Sequence, residues 1–392
     1  MGIYAFSRAW RALAGAALIV VAMQGPVSAE DGVYPDKIVF GQAAALEGPA
    51  AALGTGMQLG LRAAFEEANR AGGVGGRKLE LISYNDGYEP NASMAAVRKL
   101  MQEDKVFALI GPVGTPTSKA TQPLATQAGV PFIGPFTGAG FLRNAKLGNI
   151  ANVRATYAAE TEAWIKHLTE DLKFKRIGIL YQDDAFGRVG YKGVMAALSK
   201  RNMSLASEGT FQRNTTAVKT ALLEIRKAQP EAVVMVGPYK PMATFIKVAR
   251  QIAFNPVFVN ISFVGSKALA KELGEAGEGV IVSQVVPFPW ETSIPLVERY
   301  QKALKAVDEK AEPGFVTLEG YMVGRLAIMT LEGMKGEVTR DAFLKTIWNT
   351  GSYDLGGVTL AFGAEDNQGM EQVFLTVIQK DGSFKPVARP AS

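Results

Sequence analysis

From Lys37 to Val259 the chain repeats one unit, a short apolar run followed by a stretch with apolar residues every three or four positions. The unit returns about every 25–35 residues, the length of a strand plus a crossover helix, which restricts the fold to parallel sheets flanked by helices. Ile38-Val39-Phe40 opens the first strand, and Met57, Leu61, Ala64, Phe65 and Ala68 form the apolar stripe of the helix after it. Gly72-Gly73 ends that helix, because glycine takes a left-handed backbone at little cost. Strands are expected at 79–83, 106–110 and 130–133, with helices at 92–103, capped by Asn91, and at 116–128. A second set follows Asn152, with helices at 160–172, 187–200, 216–228 and 240–252 and strands at 176–181, 205–211, 232–236 and 256–259. Beyond Pro287 the pattern is mostly helical, at 294–310, 315–335 and 339–350, so these helices are expected to return over the earlier strands. The class is α/β, with two doubly wound Rossmann-like lobes.

Composition narrows the chemistry. The chain has no cysteine and one histidine, which excludes disulfides, thiolate nucleophiles, iron–sulfur clusters and multi-histidine metal sites. No cofactor and no metal are expected. His167 lies in the amphipathic stretch 164–168 and reads as a helix-surface or core residue. The 42 basic residues are scattered among 37 acidic ones, so no nucleic-acid surface is expected. Gly54-Thr55-Gly56 follows a strand, but Gly60 breaks the dinucleotide-binding spacing and no Walker A loop is present. These glycines more simply permit close packing at a helix start, and the chain does not read as an enzyme.

The N-terminus reads as an export signal. Arg8 and Arg11 precede the apolar run 12–23, Gly25-Pro26 breaks the helix, and Val27-Ser28-Ala29 is a small-residue cleavage site. The run is shorter than the about 20 residues that span a membrane. Residues 1–29 are therefore expected to be a cleaved signal peptide on a soluble, exported protein.

In open parallel sheets ligands bind beyond the carboxyl ends of strands, beside helix N-termini. The loops there are rich in Gly and Pro, with the hydroxyls of Thr115, Thr137 and Ser262 and the rings of Phe136, Phe186 and Tyr239. Thr115 before Pro116 reads as an N-cap whose helix start can hold a carboxylate, and equally as a residue that only caps its helix. Phe186 and Tyr239 equally suit a core.

Ordered motifs in the chain are Leu46-Glu47-Gly48-Pro49, Ala71-Gly72-Gly73-Val74, Asn85-Asp86, Ile110-Gly111-Pro112 before Thr115, Asp183-Asp184-Ala185-Phe186-Gly187 and Gly237-Pro238-Tyr239. In this order and spacing the chain resembles the periplasmic leucine/isoleucine/valine-binding proteins of ABC transporters, of the type I periplasmic-binding-protein fold. The resemblance implies two lobes joined by three hinge crossovers, near Val153, Val285 and Leu355. One lobe would comprise 36–153 and 286–355, the other 154–285 and 356–392. Thr115 matches the hydroxyl that holds a ligand carboxylate, and Phe136 the carbonyl that meets an ammonium. Gly138 stands where the family often has a second hydroxyl, with Thr137 adjacent. Phe186 and Tyr239 match second-lobe aromatics over the ligand, and Leu53 a large residue against its side chain. Ser262 stands where amino-acid binders carry an acid for the ammonium; Glu319, Asp183 and Asp184 are the candidate substitutes. Tyr88 and Gly114 occupy the family's disulfide positions.

The implied function is a periplasmic, monomeric solute-binding component of an ABC importer, trapping an amino acid or another small carboxylate and serving inner-membrane permease subunits. A ligand sensor of the same fold, feeding a receptor or regulator, is the alternative.

Overall fold

The computed structural model describes Met1 and residues 30–387; residues 2–29 of the expected signal peptide lie outside the described residues. Among the described residues no helix is long and apolar enough to cross a membrane.

The first set of elements is β1 (Lys37–Ala44), α1 (Ala51–Arg70), β2 (Lys78–Asn85), α2 (Pro90–Gln102), β3 (Ala108–Ile110), α3 (Thr115–Gln127), β4 (Phe132–Ile133) and β5 (Ile150–Ala151). Its strands form an all-parallel sheet in the order β2-β1-β3-β4-β5. The second set is α4 (Tyr157–Lys166), β6 (Ile177–Gln182), α5 (Ala185–Ser199), β7 (Ser207–Phe211), α6 (Lys219–Lys227), β8 (Ala232–Val236), α7 (Tyr239–Gln251), β9 (Val257–Asn260), α8 (Ser266–Leu273) and β10 (Ile281–Gln284). These strands pair in parallel as β7-β6-β8-β9-β10, the same order as in the first sheet. Helices cover both sheets, which is why β8 (Ala-Val-Val-Met-Val) is apolar and buried at every position.

The chain then adds α9 (Pro295–Val307), α10 (Phe315–Gly333), α11 (Arg340–Thr350), β11 (Ser352–Asp354), β12 (Thr359–Ala361), β13 (Phe374–Ile378) and β14 (Phe384–Pro386). Helices α9 and α10 pack on α1, as the helical periodicity beyond Pro287 implied. That region is not only helical, however. β11 and β12 form a small antiparallel pair, and β13, antiparallel to β10, and β14, antiparallel to β13, extend the second sheet. Asn91 does not cap α2, because Pro90 starts that helix with Glu89 before it, and no side chain caps the first turn. At the end of α1 the glycines do act as expected, with Gly72 and Gly73 at φ of 104° and 78°.

Each sheet reverses its winding between its first and third strands, at β1/β3 and at β6/β8. Such switch points open a crevice at the carboxyl ends of the strands. The loops flanking them are 45–50 and 111–114 in one sheet, and 183–184 and 237–238 in the other.

Candidate functional site

The two crevices face each other across one cleft. Leu53 and Thr115 come from the first turns of α1 and α3, and Phe136–Gly138 follow β4. Phe186 and Tyr239 start α5 and α7, and Ser262 follows β9. All of them lie in the interior of the closed cleft, with Tyr239 5% and Ser262 7% exposed.

Their local geometry differs from the sequence expectation at several points. Gly114, at φ 105°, is the N-cap of α3, so Thr115 lies inside the helix and does not cap it. Its hydroxyl instead bonds the Thr137 hydroxyl at 2.6 Å. The Phe136 carbonyl accepts from the Gly114 N–H (3.2 Å). Gly138 has no room for the second hydroxyl, since a Cβ there would lie 2.6 Å from the Tyr157 backbone nitrogen. Leu53 reaches over Gly265 of the opposite lobe, and the Ala52 N–H donates to the Tyr239 hydroxyl (3.4 Å). Tyr88 and Gly114 do meet: the Tyr88 ring fills the space where a Gly114 side chain would stand.

Sequence reasoning missed the residue at the centre. The Phe263 ring centroid lies 4.7 Å from Phe186, 5.2 Å from Phe136 and 5.8 Å from Tyr88. Rings from both lobes thus converge on one side chain and line the cleft with apolar surface.

It also missed the charges. The acid that reaches Ser262 is Glu160 of α4, none of the three expected. Glu160 accepts from the Ser262 N–H (2.9 Å), the Ser262 hydroxyl (2.9 Å) and the Ser283 hydroxyl (2.5 Å). It also pairs with Arg154 at 3.3 Å, both side chains being fully buried. Asp183 is a surface partner of Arg188, and Asp184 caps α5 while holding Arg213. Glu319, on α10, faces Arg154 from the other side at 3.6 Å. Arg154 therefore sits on the crossover between β5 and α4, held between acids of elements that pack on different sheets. The one available signal was a charge inside the otherwise uncharged run 150–155.

Outside this layer a polar rim ties the loops together. Arg213 pairs with Glu89 at 2.7 Å, and Asn214 donates to the Gly87 carbonyl (3.0 Å) and to Glu89 (2.7 Å). A separate hollow of about 690 Å³ lies behind the crossovers, walled by Phe288, Phe315 and Leu375 and containing none of the cleft residues. His167 borders it, buried and bonded to Asp171 at 2.8 Å.

Burial pushes the Glu319 carboxyl up to about 7 from its ordinary 4.5, with Arg154 and Arg143 opposing the rise and Glu160 adding to it. The folded state then holds this proton more tightly than the unfolded chain. Stability from this group is present below about 4.5 and is lost as the pH rises through about 7. Thermal melts across that window should show the wild type losing stability relative to Glu319→Gln, which carries no such proton. Parallel curves for the two proteins would contradict this.

The comparisons with known proteins agree with this architecture. The periplasmic binding protein family matches residues 37–383. A crystal structure described as a possible leucine/isoleucine/valine-binding protein from Rhodopirellula baltica is 36% identical, with a TM-score of 0.86 over 92% of this chain and 98% of that one. The Leu/Ile/Val-binding protein homolog 7 of Brucella abortus is 23% identical over 337 residues, 82% of each chain. A fatty acid ABC transporter substrate-binding protein from Thermomonospora curvata, 18% identical, shares the fold with a TM-score of 0.84 over 92% of this chain and 94% of that one. With a match that spans nearly all the described residues, the chain belongs to the periplasmic binding protein family, as a solute-binding protein of the leucine/isoleucine/valine-binding class of ABC transporters and not an enzyme.

Proposed function

We propose that the chain captures a small solute bearing a carboxylate and an apolar body, and delivers it to permease subunits of an ABC importer in the inner membrane. In this reading it works as a periplasmic monomer. Two lobes, one built on each sheet, close by hinge motion at the crossovers.

The observation that carries the reading is the start of α3. No side chain caps its first turn, because the N-cap is Gly114. The Ser118 hydroxyl, in that turn, is fully buried and has no hydrogen-bond partner. A helix N-terminus with free donors favours an anion, and the Thr115–Thr137 hydroxyl pair adds a donor beside it. The rings of Phe136, Phe186 and Phe263 supply the apolar wall. The names of the relatives fit: leucine, isoleucine, valine and fatty acids all join a carboxylate to a hydrocarbon.

The test is titration calorimetry against a panel of amino acids and aliphatic and aromatic carboxylates. Saturable binding of a panel member should weaken about 10–100-fold in Thr115→Val, the loss expected for a hydrogen bond to a charged group, while Thr115→Ser retains most of it. Equal affinities in wild type and Thr115→Val would remove the carboxylate from this position. No binding by any panel member would sink the reading.

A further inference from the structure

The cleft carries its own cation. The Arg154 side chain is fully buried, and its guanidinium lies 4.9 Å from the Phe136 ring and 5.6 Å from the Tyr157 ring. Nη2 contacts Glu160 and the Ser262 hydroxyl. A guanidinium also donates through Nε and Nη1. Here both of those make no hydrogen bond, and the Glu319 carboxylate stays 3.6 Å from Nη1. The fully buried Tyr157 hydroxyl and Asn260 side-chain amide likewise have no partner. Buried donors of this kind are normally satisfied, and their presence in a cleft points to acceptors on what enters it.

The position of the guanidinium is as informative as its free donors. It stands between Phe136 and Ser262, the two positions at which the family resemblance places the groups around a ligand's ammonium. Glu160 cannot serve an incoming ammonium in place of the absent acid. Both of its oxygens are engaged, by Arg154, the Ser262 N–H and hydroxyl, and the Ser283 hydroxyl. An ammonium brought to this point would meet a like charge in a site shielded from water.

We propose that Arg154 occupies the place of the ligand's ammonium, so that the cleft selects a 2-oxo acid over the α-amino acid of the same carbon skeleton. This inference rests on the cleft reading above and names its substrate class. The carboxylate lies at the start of α3, and the 2-oxo oxygen accepts from Nε and Nη1 of Arg154. The hydrocarbon end packs among the rings around Phe263.

The experiment is titration calorimetry on the purified protein with matched probes: leucine, 4-methyl-2-oxopentanoate and 4-methylpentanoate, then phenylalanine, phenylpyruvate and 3-phenylpropanoate. The oxo acid should bind at least about tenfold more tightly than its amino acid in one series or both. Arg154→Gln should remove that preference, and Arg154→Lys should keep the rejection of the amino acid while weakening the oxo acid. The affinity ratio in the wild type decides the matter even if the variants fail to fold. An amino acid that binds as tightly as its oxo acid overturns the role of Arg154 and leaves the cleft reading standing. A plain acid equal to its oxo acid overturns the second acceptor. Failure of all six probes removes the cleft reading and this inference together.

Discussion

Replacing Glu160 with glutamine is expected to lower the unfolding free energy by about 3–5 kcal/mol, the range found when one partner of a buried ion pair is removed. The side chain is fully buried and accepts from two serine hydroxyls and a backbone N–H while facing the Arg154 guanidinium. Glutamine keeps the shape but turns one acceptor oxygen into a donor NH₂ group. Whichever oxygen is replaced, that group would face the Arg154 guanidinium or the Ser262 N–H, neither of which can accept, and leaving buried donors unsatisfied costs about 1–3 kcal/mol each. Arg154 would keep Glu319 as its remaining counter-charge. Removal of the neighbouring negative charge should also bring the Glu319 carboxyl below its present value of about 7. Urea unfolding near neutral pH reads the first effect, and a flattened pH dependence between about 4.5 and 7 reads the second. A loss below about 1 kcal/mol would show that Glu160 is not the organising acid of the cleft.

The difference between what the sequence disclosed and what it concealed follows from how local each feature is. Strands covered on both faces announce themselves as apolar runs, and β8 lies at the expected residues 232–236. The strand ends then locate the cleft loops, because switch-point geometry follows from the winding alone. The strands missed at the C-terminal end depend on distant partners. β13 is antiparallel to β10, and its first residue, Phe374, is an exposed aromatic. β10 ends in Ser283 and Gln284, polar residues buried because their side chains bond Glu160, Ser266 and Thr376. The charged layer escaped for the same reason. Ser262 and Glu319 were legible through the family resemblance, but Arg154, Glu160 and Ser283 lie on three further separate stretches, and nothing local ties them to one site. Thr115 was misread as a cap because a helix start read from sequence does not show that the glycine before it takes the cap position.

Helix α1 supplies the second large effect. In an exposed helix, Gly→Ala gains about 1 kcal/mol from helix propensity. Gly60→Ala is expected to do the opposite and cost about 3 kcal/mol. A Cβ at Gly60 would lie 2.1 Å from the Thr317 carbonyl oxygen and 2.7 Å from the Tyr321 backbone nitrogen, both of α10. The fit is mutual, since a Cβ at Gly320 would lie 2.4 Å from the Met57 carbonyl oxygen. Gly60 and Gly320 thus let two helices from opposite ends of the chain meet backbone to backbone, with Gly56 and Gly324 leaving room for the Val316 and Ala64 side chains, whereas Gly54 packs on the Ala45 carbonyl before the helix. Backbone atoms cannot step aside as a flexible side chain can, so the helices must part and forfeit the packing between them. The separation would also move Leu53 on α1 relative to Glu319 on α10, so ligand affinity should fall along with stability. Gly333→Ala is the matched control. Gly333 is exposed at the end of α10, and its Cβ would meet only the Thr346 methyl at 3.6 Å, so this variant should hold or gain stability. Urea unfolding of both variants gives the comparison. If Gly60→Ala unfolds at the same denaturant concentration as the wild type, the two helices tolerate a gap at their crossing, and their contact is not what fixes Glu319 beside Arg154.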